Sequence, residues 1–582
     1  MSPSFTSTED TGWNPKDWLI GAMLMLGSFL LYTLGRNVEF QGDDDYLYLR
    51  SFHMLHQAWD QIHLLEWRLL PAQLINFGIA FMSEPRHAPL PVLLNAWFYH
   101  GCVGLDSKFT LNVFHLPIAL VSSTAIALFY RMIRIQPGTS RSIAVFGSLL
   151  LMTSPLFTMA SRGLSSYYLA FIPFSTIIAM LSLQHVSRTG SVSIWTGLGT
   201  AQVVFSDTLW FVTLPLLLAS FLWATGNWRT GLARLTSPAL ALPLGAGILF
   251  MIAGTISMAC IGKSAPFLSL LHSHARSHGW NPVILDPHQL FGCLAMLAGA
   301  GTLGWLGLGT ILWTWKNRRL PASVPASFAV LAFLAYATLF YVVSSETRFV
   351  KNFYQIYLVT PVVLLLTCML SFISSRRLFG RLGITALALA ILTTEVLACV
   401  NYVWKLPVSP AASTFADWAH GTNNPNQGTK AAGYLMRQWM LAAWKLDSRI
   451  PANITLSRYT VSLAIFSGIG EGERGDYFRH QTGAPHKITM KIDGSLPASF
   501  RDNHDRRIGS AIILDLSGAP RPDTPPYTYT LCNQGTPITV LLVYPPAGIA
   551  TPPIKSGISD IEIWDKCFDQ TYHAYSDFFP NP

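Results

Sequence analysis

Apolar residues in this chain come in long unbroken runs rather than at the spacing of half-buried strands or helices. A helix that crosses the hydrocarbon core of a bilayer needs about 20 of them. Runs of this kind lie at 18–35, 109–130, 143–160, 165–183, 193–206, 208–223, 238–260, 288–313, 324–344, 353–373 and 383–403. The pattern predicts a polytopic α-helical membrane protein with about 11 transmembrane helices. The pair 193–206 and 208–223 is the awkward one, too long together for one upright crossing and short for two. Charge decides it. If both cross, the alternate loops hold Arg131, Arg134, Arg141, Arg188, Arg229, Arg234, Lys316, Arg318, Arg319, Arg376, Arg377 and Arg381, with no Asp or Glu. That is the bias of cytoplasmic loops, and merging the pair would break it beyond residue 223.

The other loops then face outward and contain Asp43, Asp44, Asp45, Glu84, Asp207, Asp286 and Glu346. Two outer segments exceed a simple connection. In 36–108, Tyr46–Leu64 and Leu69–Met82 read as helices lying along the interface; 261–287 is polar and His-rich. After Val403 the texture becomes polar, opened by Pro407 and Pro410. A helical pattern at Lys430–Leu446 and β-type runs at Ser510–Leu516, Ile538–Tyr544 and Ile558–Trp564 predict a C-terminal soluble α/β or α+β domain. The expected organisation is a cytoplasmic tail at 1–17, a transmembrane domain at 18–406 and an extracytoplasmic domain at 407–582. Trp18–Gly35 lacks a small-residue cleavage site, so the first span is expected to stay as an anchor.

Composition agrees with the pattern. Of 582 residues, 51% are hydrophobic and only 12% charged, where soluble chains carry about a quarter charged. The net charge of +9 is orienting charge in the loops, and no nucleic-acid partner is expected from it. Cys102, Cys260, Cys293, Cys368 and Cys399 show no metal-ligand spacing. Cys532 and Cys567 are two thiols, or one disulfide in an oxidising compartment.

The sharpest local feature is Gly42–Arg50, GDDDYLYLR. Three adjacent carboxylates beside a low-dielectric surface repel one another, which favours keeping a proton on one of them. That suits a general base or a cation site, and equally a solvated helix N-terminus that takes Asp for its cap and dipole. Glu84, Arg86 and His87 precede a Pro-punctuated apolar run; they either hold an anionic group at the interface or form a turn into a hairpin. Arg162, in SRGLSSYYLAF, stands at an outer helix end, where snorkelling to headgroups is the plain reading. In ETRFVKNFYQIYLVTP, Arg348 and Lys351 share a helical face. Basic groups there run against the loop bias and suit a phosphate or diphosphate, unless Glu346 pairs with them. His272, His274 and His278 lack any zinc-type pattern, so no metal ligand is assigned and a divalent metal stays open. Asp207 is a helix cap or a further carboxylate.

In order along the chain, these features resemble the GT-C superfamily of membrane glycosyltransferases. They look most like the branch holding the protein O-mannosyltransferases and the lipid A aminoarabinose transferase. The resemblance covers residues 15–405, and the tail with KAAGYLMRQ is similar to periplasmic domains of bacterial members. The family's acidic motif falls on Asp44 and Asp45, followed by Tyr46 to Arg50, with Asp43 the alternative register. Its Pro-Pro-Leu segment is Ala88-Pro89-Leu90 here, one Pro lost. Ser165 and Ser166 stand where several relatives carry an acid, so a second catalytic carboxylate would fall to Glu84 or Asp207.

What the resemblance implies is transfer of a sugar from a polyprenyl-phosphate donor to an envelope acceptor (lipid, glycan or protein) on the outer face of a bacterial inner membrane. Asp44 or Asp45 would be the general base, and direct displacement would invert the anomeric centre. Arg86, His87, Arg162, Arg348 and Lys351 would take the departing lipid phosphate. Tyr46, Tyr167 and Tyr354 would line the substrate site, and membrane lipids would surround the helices. Two other classes compete. A lipid-linked glycan flippase predicts polar residues inside several spans and an inverted repeat; Glu395 is the only clear carboxylate inside a run, and no repeat is seen. A non-catalytic GT-C-like assembly subunit would explain the missing acid.

Overall fold

Ser140, Ser193 and Ser323 each precede an apolar run and Asn227 precedes the short basic segment Trp228–Leu235, and each starts a helix in the computed structural model. Their side-chain oxygens take N–H groups that a first helical turn leaves without partners. Ser140 accepts from Ile143 at 3.3 Å. Ser193 and Thr196 form a reciprocal capping box. Asn227 accepts from Arg229 and Thr230, and Ser323 from Ala326.

The structure describes residues 14–33, 64, 67–68, 90–91, 94, 116–136, 139–162, 167–207, 209–258, 323–339, 356–376, 381–404, 425–457, 488–496, 510–518, 526–533, 536–549 and 552–553. These fall into two compact units, one ending in the helix at Arg381–Trp404 and one beginning at Pro425. The helical unit contains α1 (Pro15–Thr33), α2 (Leu116–Arg134), α3 (Arg141–Thr153), α4 (Pro155–Arg162), α5 (Tyr167–Thr189), α6 (Ile194–Ser206), α7 (Trp210–Thr225), α8 (Trp228–Leu235), α9 (Pro238–Met258), α10 (Val324–Ala337), α11 (Ile356–Arg376) and α12 (Arg381–Trp404).

Each predicted apolar run other than 288–313 meets one of these helices. The run 288–313, the segment 261–287, nearly all of 36–108 and the strand expected at Ile558–Trp564 lie outside the described residues. The run 143–160 proves to be two helices. Pro155 has no N–H to continue α3 and opens α4 at a position that needs none. Among the described residues, Leu116–Arg134 and Leu169–Thr189 are long and apolar enough to cross a membrane by length and composition; α8 and α9, bent by 64°, would together make a third. Other apolar helices, α3, α7 and α10 among them, are shorter.

The stretch 193–223 is two antiparallel helices. Arg234, at the end of α8, donates to the carbonyls of Val186 (3.1 Å) and Ser187 (3.3 Å), so it lies at the C-terminal end of α5. α6 starts at that same end, just after Gly190. α7 feeds α8 through Gly226, whose φ of 66° is in the left-handed region that favours glycine. α7 therefore comes back to where α6 began, and the turn at the far end is Asp207.

α6 is held between α5 and α9 by close backbone approach. A Cβ on Gly197 would overlap the carbonyl of Ala239 on α9, and one on Gly199 would overlap the Ser182 hydroxyl on α5. The arginine-rich end of the unit is also where Trp18, Trp195 and Trp228, each in the first turn of its helix, are exposed, the placement of an interfacial aromatic belt. There Asp17 of α1 accepts from Tyr130 and from Arg141 Nε, both at 2.8 Å, with Arg134 Nε at 3.6 Å.

The second unit has α13 (Pro425–Leu446) against a mixed sheet of β1 (Ala452–Leu456), β2 (Ile488–Ile492), β3 (Ser510–Asp515), β4 (Tyr527–Asn533) and β5 (Thr536–Tyr544), in the order β2-β1-β3-β5-β4. β1 pairs with β2 and β3 with β5 in parallel; β1–β3 and β4–β5 are antiparallel. Leu435, Met436, Trp439, Met440 and Ala443 recur at helical spacing and meet Ile454, Ile512, Leu514, Leu541 and Val543 in one core. Trp439 is wholly buried, so its indole N–H needs a partner and finds the Tyr529 hydroxyl at 3.0 Å.

Two substitutions probe these contacts. Gly197→Ala should push α6 off α9 and lower the thermal unfolding midpoint of the purified protein in detergent, whereas Gly27→Ala, with nothing within 4 Å of the added carbon, should leave it unchanged. Trp439→Ala should cost about 3–5 kcal/mol in the second unit, read by urea unfolding of the full chain followed at a tryptophan signal.

Candidate functional site

The two ends of the helical unit differ in chemistry. Asp17, Arg134, Arg141, Arg188 and Arg234 mark one end, where Arg188 donates to the Ile135 carbonyl at the close of α2. Asp207 marks the other. α1 starts at the arginine end, so Thr33 and the sequence that follows it leave from the Asp207 end. Tyr32 fits this, donating to the Met152 carbonyl near the end of α3 at 3.2 Å. α5 finishes at the arginine end, so its first residue, Tyr167, and the last residue of α4, Arg162, belong to the Asp207 end. α11 starts there too.

Asp207 closes α6, its backbone N–H bonded to Val203 at 3.0 Å. Its carboxylate has no exposed surface. One oxygen accepts from the Leu209 N–H (2.8 Å) and from the Tyr357 hydroxyl on α11; the other accepts from the Thr213 hydroxyl on α7. Thr213 has a single proton and gives it to Asp207. The 2.6 Å contact between Thr213 and Tyr336 of α10 therefore runs from the tyrosine O–H to the threonine oxygen. The Tyr336 and Tyr357 rings pack at 5.0 Å between centroids. Four helices are thus joined at this turn.

A general base must reach the proton it takes. Asp207 is sealed from solvent and holds donors on both oxygens, so it is a clamp for the α6–α7 turn and the first turn of α11. Asp207 closes α6 as the capping expectation has it, and the enclosed carboxylate is not a free second one. Thr213, Tyr336 and Tyr357 were not singled out from sequence; nothing in their spacing points to residue 207.

The other predicted groups divide simply. Asp43, Asp44, Asp45, Tyr46, Glu84, Arg86, His87, Arg348, Lys351 and Tyr354 lie outside the described residues, as do the three histidines at 272–278 and Cys567. Arg162 and Tyr167 are placed by their helices, at the Asp207 end. Among the described residues no three His, Cys, Asp or Glu side chains gather closely enough to hold a metal ion.

Burial pushes the Asp207 carboxyl up from its ordinary 3.8 to about 6, against the hydrogen bonds from Thr213, Tyr357 and Leu209 that pull it down. A raised value means the folded state holds the proton more tightly than the unfolded one. That contribution to stability is complete at low pH and is lost as pH rises through about 6. Asp207→Asn cannot titrate. Its unfolding midpoint, compared with the parent across this range, should lie furthest below at acid pH and close the gap as pH rises; a constant difference would contradict the assignment.

No family model matches the sequence, and no curated protein matches it. Among solved structures, the fold is similar to ArnT from Cupriavidus metallidurans, solved bound to undecaprenyl phosphate, with TM-score 0.46 and 15% identity over 84% of this chain and 92% of that one. It is also similar to the archaeal oligosaccharyltransferase AglB from Archaeoglobus fulgidus, solved with an inhibitory peptide and a dolichol-phosphate. There the TM-score is 0.42 and the identity 14%, over 70% of this chain and 59% of AglB, so the chain spans less than two thirds of that protein.

Proposed function

We propose that this chain is a membrane glycosyltransferase of the GT-C type, moving a sugar from a polyprenyl-phosphate donor to an envelope acceptor on the outer face of the membrane. The observation that carries the reading is a convergence at one end of the helices. The motif residues fall in segments that leave α1, join α4 to α5, or run into α11, and each of those helix ends lies at the Asp207 end, opposite the arginines. On this reading the chemistry scattered along the sequence belongs to one side.

On this reading Asp44 or Asp45 takes the proton from the acceptor hydroxyl as its oxygen attacks the anomeric carbon, and the bond to the lipid phosphate breaks. Arg86, His87, Arg162, Arg348 and Lys351 are the candidates to stabilise the departing phosphate, the electrostatic term that commonly dominates such reactions. Glu84 takes the second carboxylate role if one is needed, since Asp207 is enclosed. Tyr46, Tyr167 and Tyr354 bound the substrate site, and residues 407–582 form a periplasmic domain. The acceptor, whether lipid, glycan or protein, meets the donor there.

Replacing Asp44 and Asp45 separately by Asn should lower sugar transfer from a polyprenyl-phosphate donor at least a hundredfold in one of the two, by the scale of lost acid–base catalysis, roughly 10²–10⁴. Full transfer in both variants would remove the catalytic assignment. A cysteine placed at position 44 that reacts only from the cytoplasmic side would overturn the orientation as well.

A further inference from the structure

Hydroxyls of serine and threonine inside these helices ordinarily turn back to the carbonyl one turn earlier. Ser28 bonds to Leu24, Ser148 to Ala144, Thr153 to Leu149, Ser161 to Phe157 and Ser220 to Leu216. Ser154 and Thr360 do not. Among the described residues both hydroxyls are buried without a hydrogen-bond partner, and so are both carboxylate oxygens of Glu395 on α12. Single hydroxyls elsewhere, such as Ser237 and Ser327, share that state. Among the described residues, Glu395 is the one carboxyl group that does.

The helix registers place these three residues at one level. Thr139 and Ser371 approach at 3.5 Å, and Gly147 lies against Thr367, so α3 and α11 run antiparallel. Seven residues on from Gly147 along α3, and seven back from Thr367 along α11, stand Ser154 and Thr360, level with one another. Cys399 of α12 bonds to Thr158 of α4 at 3.5 Å. Glu395 lies one turn back from Cys399, as Ser154 lies one turn back from Thr158, both toward the arginine end. α12 packs on α3 and α4 and touches α11. A carboxyl and two hydroxyls thus stand at one level among mutually packed helices, where α3 breaks at Pro155.

Burying a lone carboxylate in apolar surroundings costs far more than burying one that is paired. No cationic side chain among the described residues pairs with Glu395. We propose that Glu395, Ser154 and Thr360 form a buried binding site for a monovalent alkali cation of sodium size. One carboxylate matches one positive charge, and hard oxygens from hydroxyls suit such an ion. A divalent ion would draw more carboxylates, and no second one stands near Glu395 among the described residues. The proposal is independent of the sugar-transfer reading.

The test uses the full chain in nanodiscs of uncharged lipid. Radiolabelled sodium binding is measured directly, and thermal unfolding is followed in sodium chloride and in choline chloride at equal ionic strength. Saturable sodium binding and a higher midpoint in sodium are expected, because a ligand held only by the folded state stabilises it. Glu395→Gln should stay folded in choline and lose both effects; Ser154→Ala and Thr360→Val should weaken sodium binding several-fold. No saturable binding by the parent protein, or unchanged binding by Glu395→Gln, would overturn the proposal. So would a midpoint that rises as pH falls yet ignores sodium, which would assign the site to a proton. Tyr32 on α1, Cys368 on α11 and Cys399 on α12 are titratable side chains on these helices, as are Arg141 on α3 and Tyr357 on α11 nearer the two ends, and Tyr32→Phe controls for the hydroxyl on α1.

Discussion

Every α-helix leaves backbone N–H groups at its start and carbonyls at its end without partners inside the helix, and a hydrocarbon environment offers no water to replace them. The helical unit is organised around that constraint. At one end, guanidinium groups serve the carbonyls: Arg188 the end of α2, Arg234 the end of α5. Cations are also favoured there by the helix dipole. At the other end, the α6–α7 turn folds its polar groups inward onto Asp207, and hydroxyls from α7, α10 and α11 complete it. Which helices meet, and at which end, follows from these assignments.

The basic loops therefore have two roles. Read from sequence, their arginines only orient the chain. In the structure, Arg134 and Arg141 enclose Asp17 at the start of α1, and Arg234 lies over Gly190, where an added side chain would touch its guanidinium. An arginine that orients a helix hairpin also ties its end to a neighbour. The packing of the bundle rests on the same arginines whose spacing in the sequence separates 193–223 into two helices.

Long apolar runs made the helices legible, and their caps were there to be read in Ser140, Ser193, Asn227 and Ser323. The break at Ser154–Pro155 was equally visible, but a continuous apolar run concealed it, since hydropathy does not register a missing N–H. In the second unit, β3 and β5 stood out because they are apolar and central. β1 is short; β2, at a sheet edge, is largely uncovered; and β4 alternates threonine with tyrosine, so their hydropathy stays low. The network around Asp207 was not legible at all. Tyr357 is 150 positions away in the chain, and only the packing of α7, α10 and α11, with α10 antiparallel to the other two, brings it there.

That network also narrows where a base at this end can come from. A carboxylate that anchors four helices cannot also exchange protons with a substrate, because each oxygen would have to surrender the donor that holds the turn in place. The anchoring role and the reactive role need opposite environments, one sealed and donor-rich, the other open to the acceptor. Under the sugar-transfer reading the reactive carboxylate belongs to the sequence leaving α1, where Asp43, Asp44 and Asp45 stand. Asp207 then acts at a distance, by fixing the first turn of the helix into which Arg348, Lys351 and Tyr354 lead.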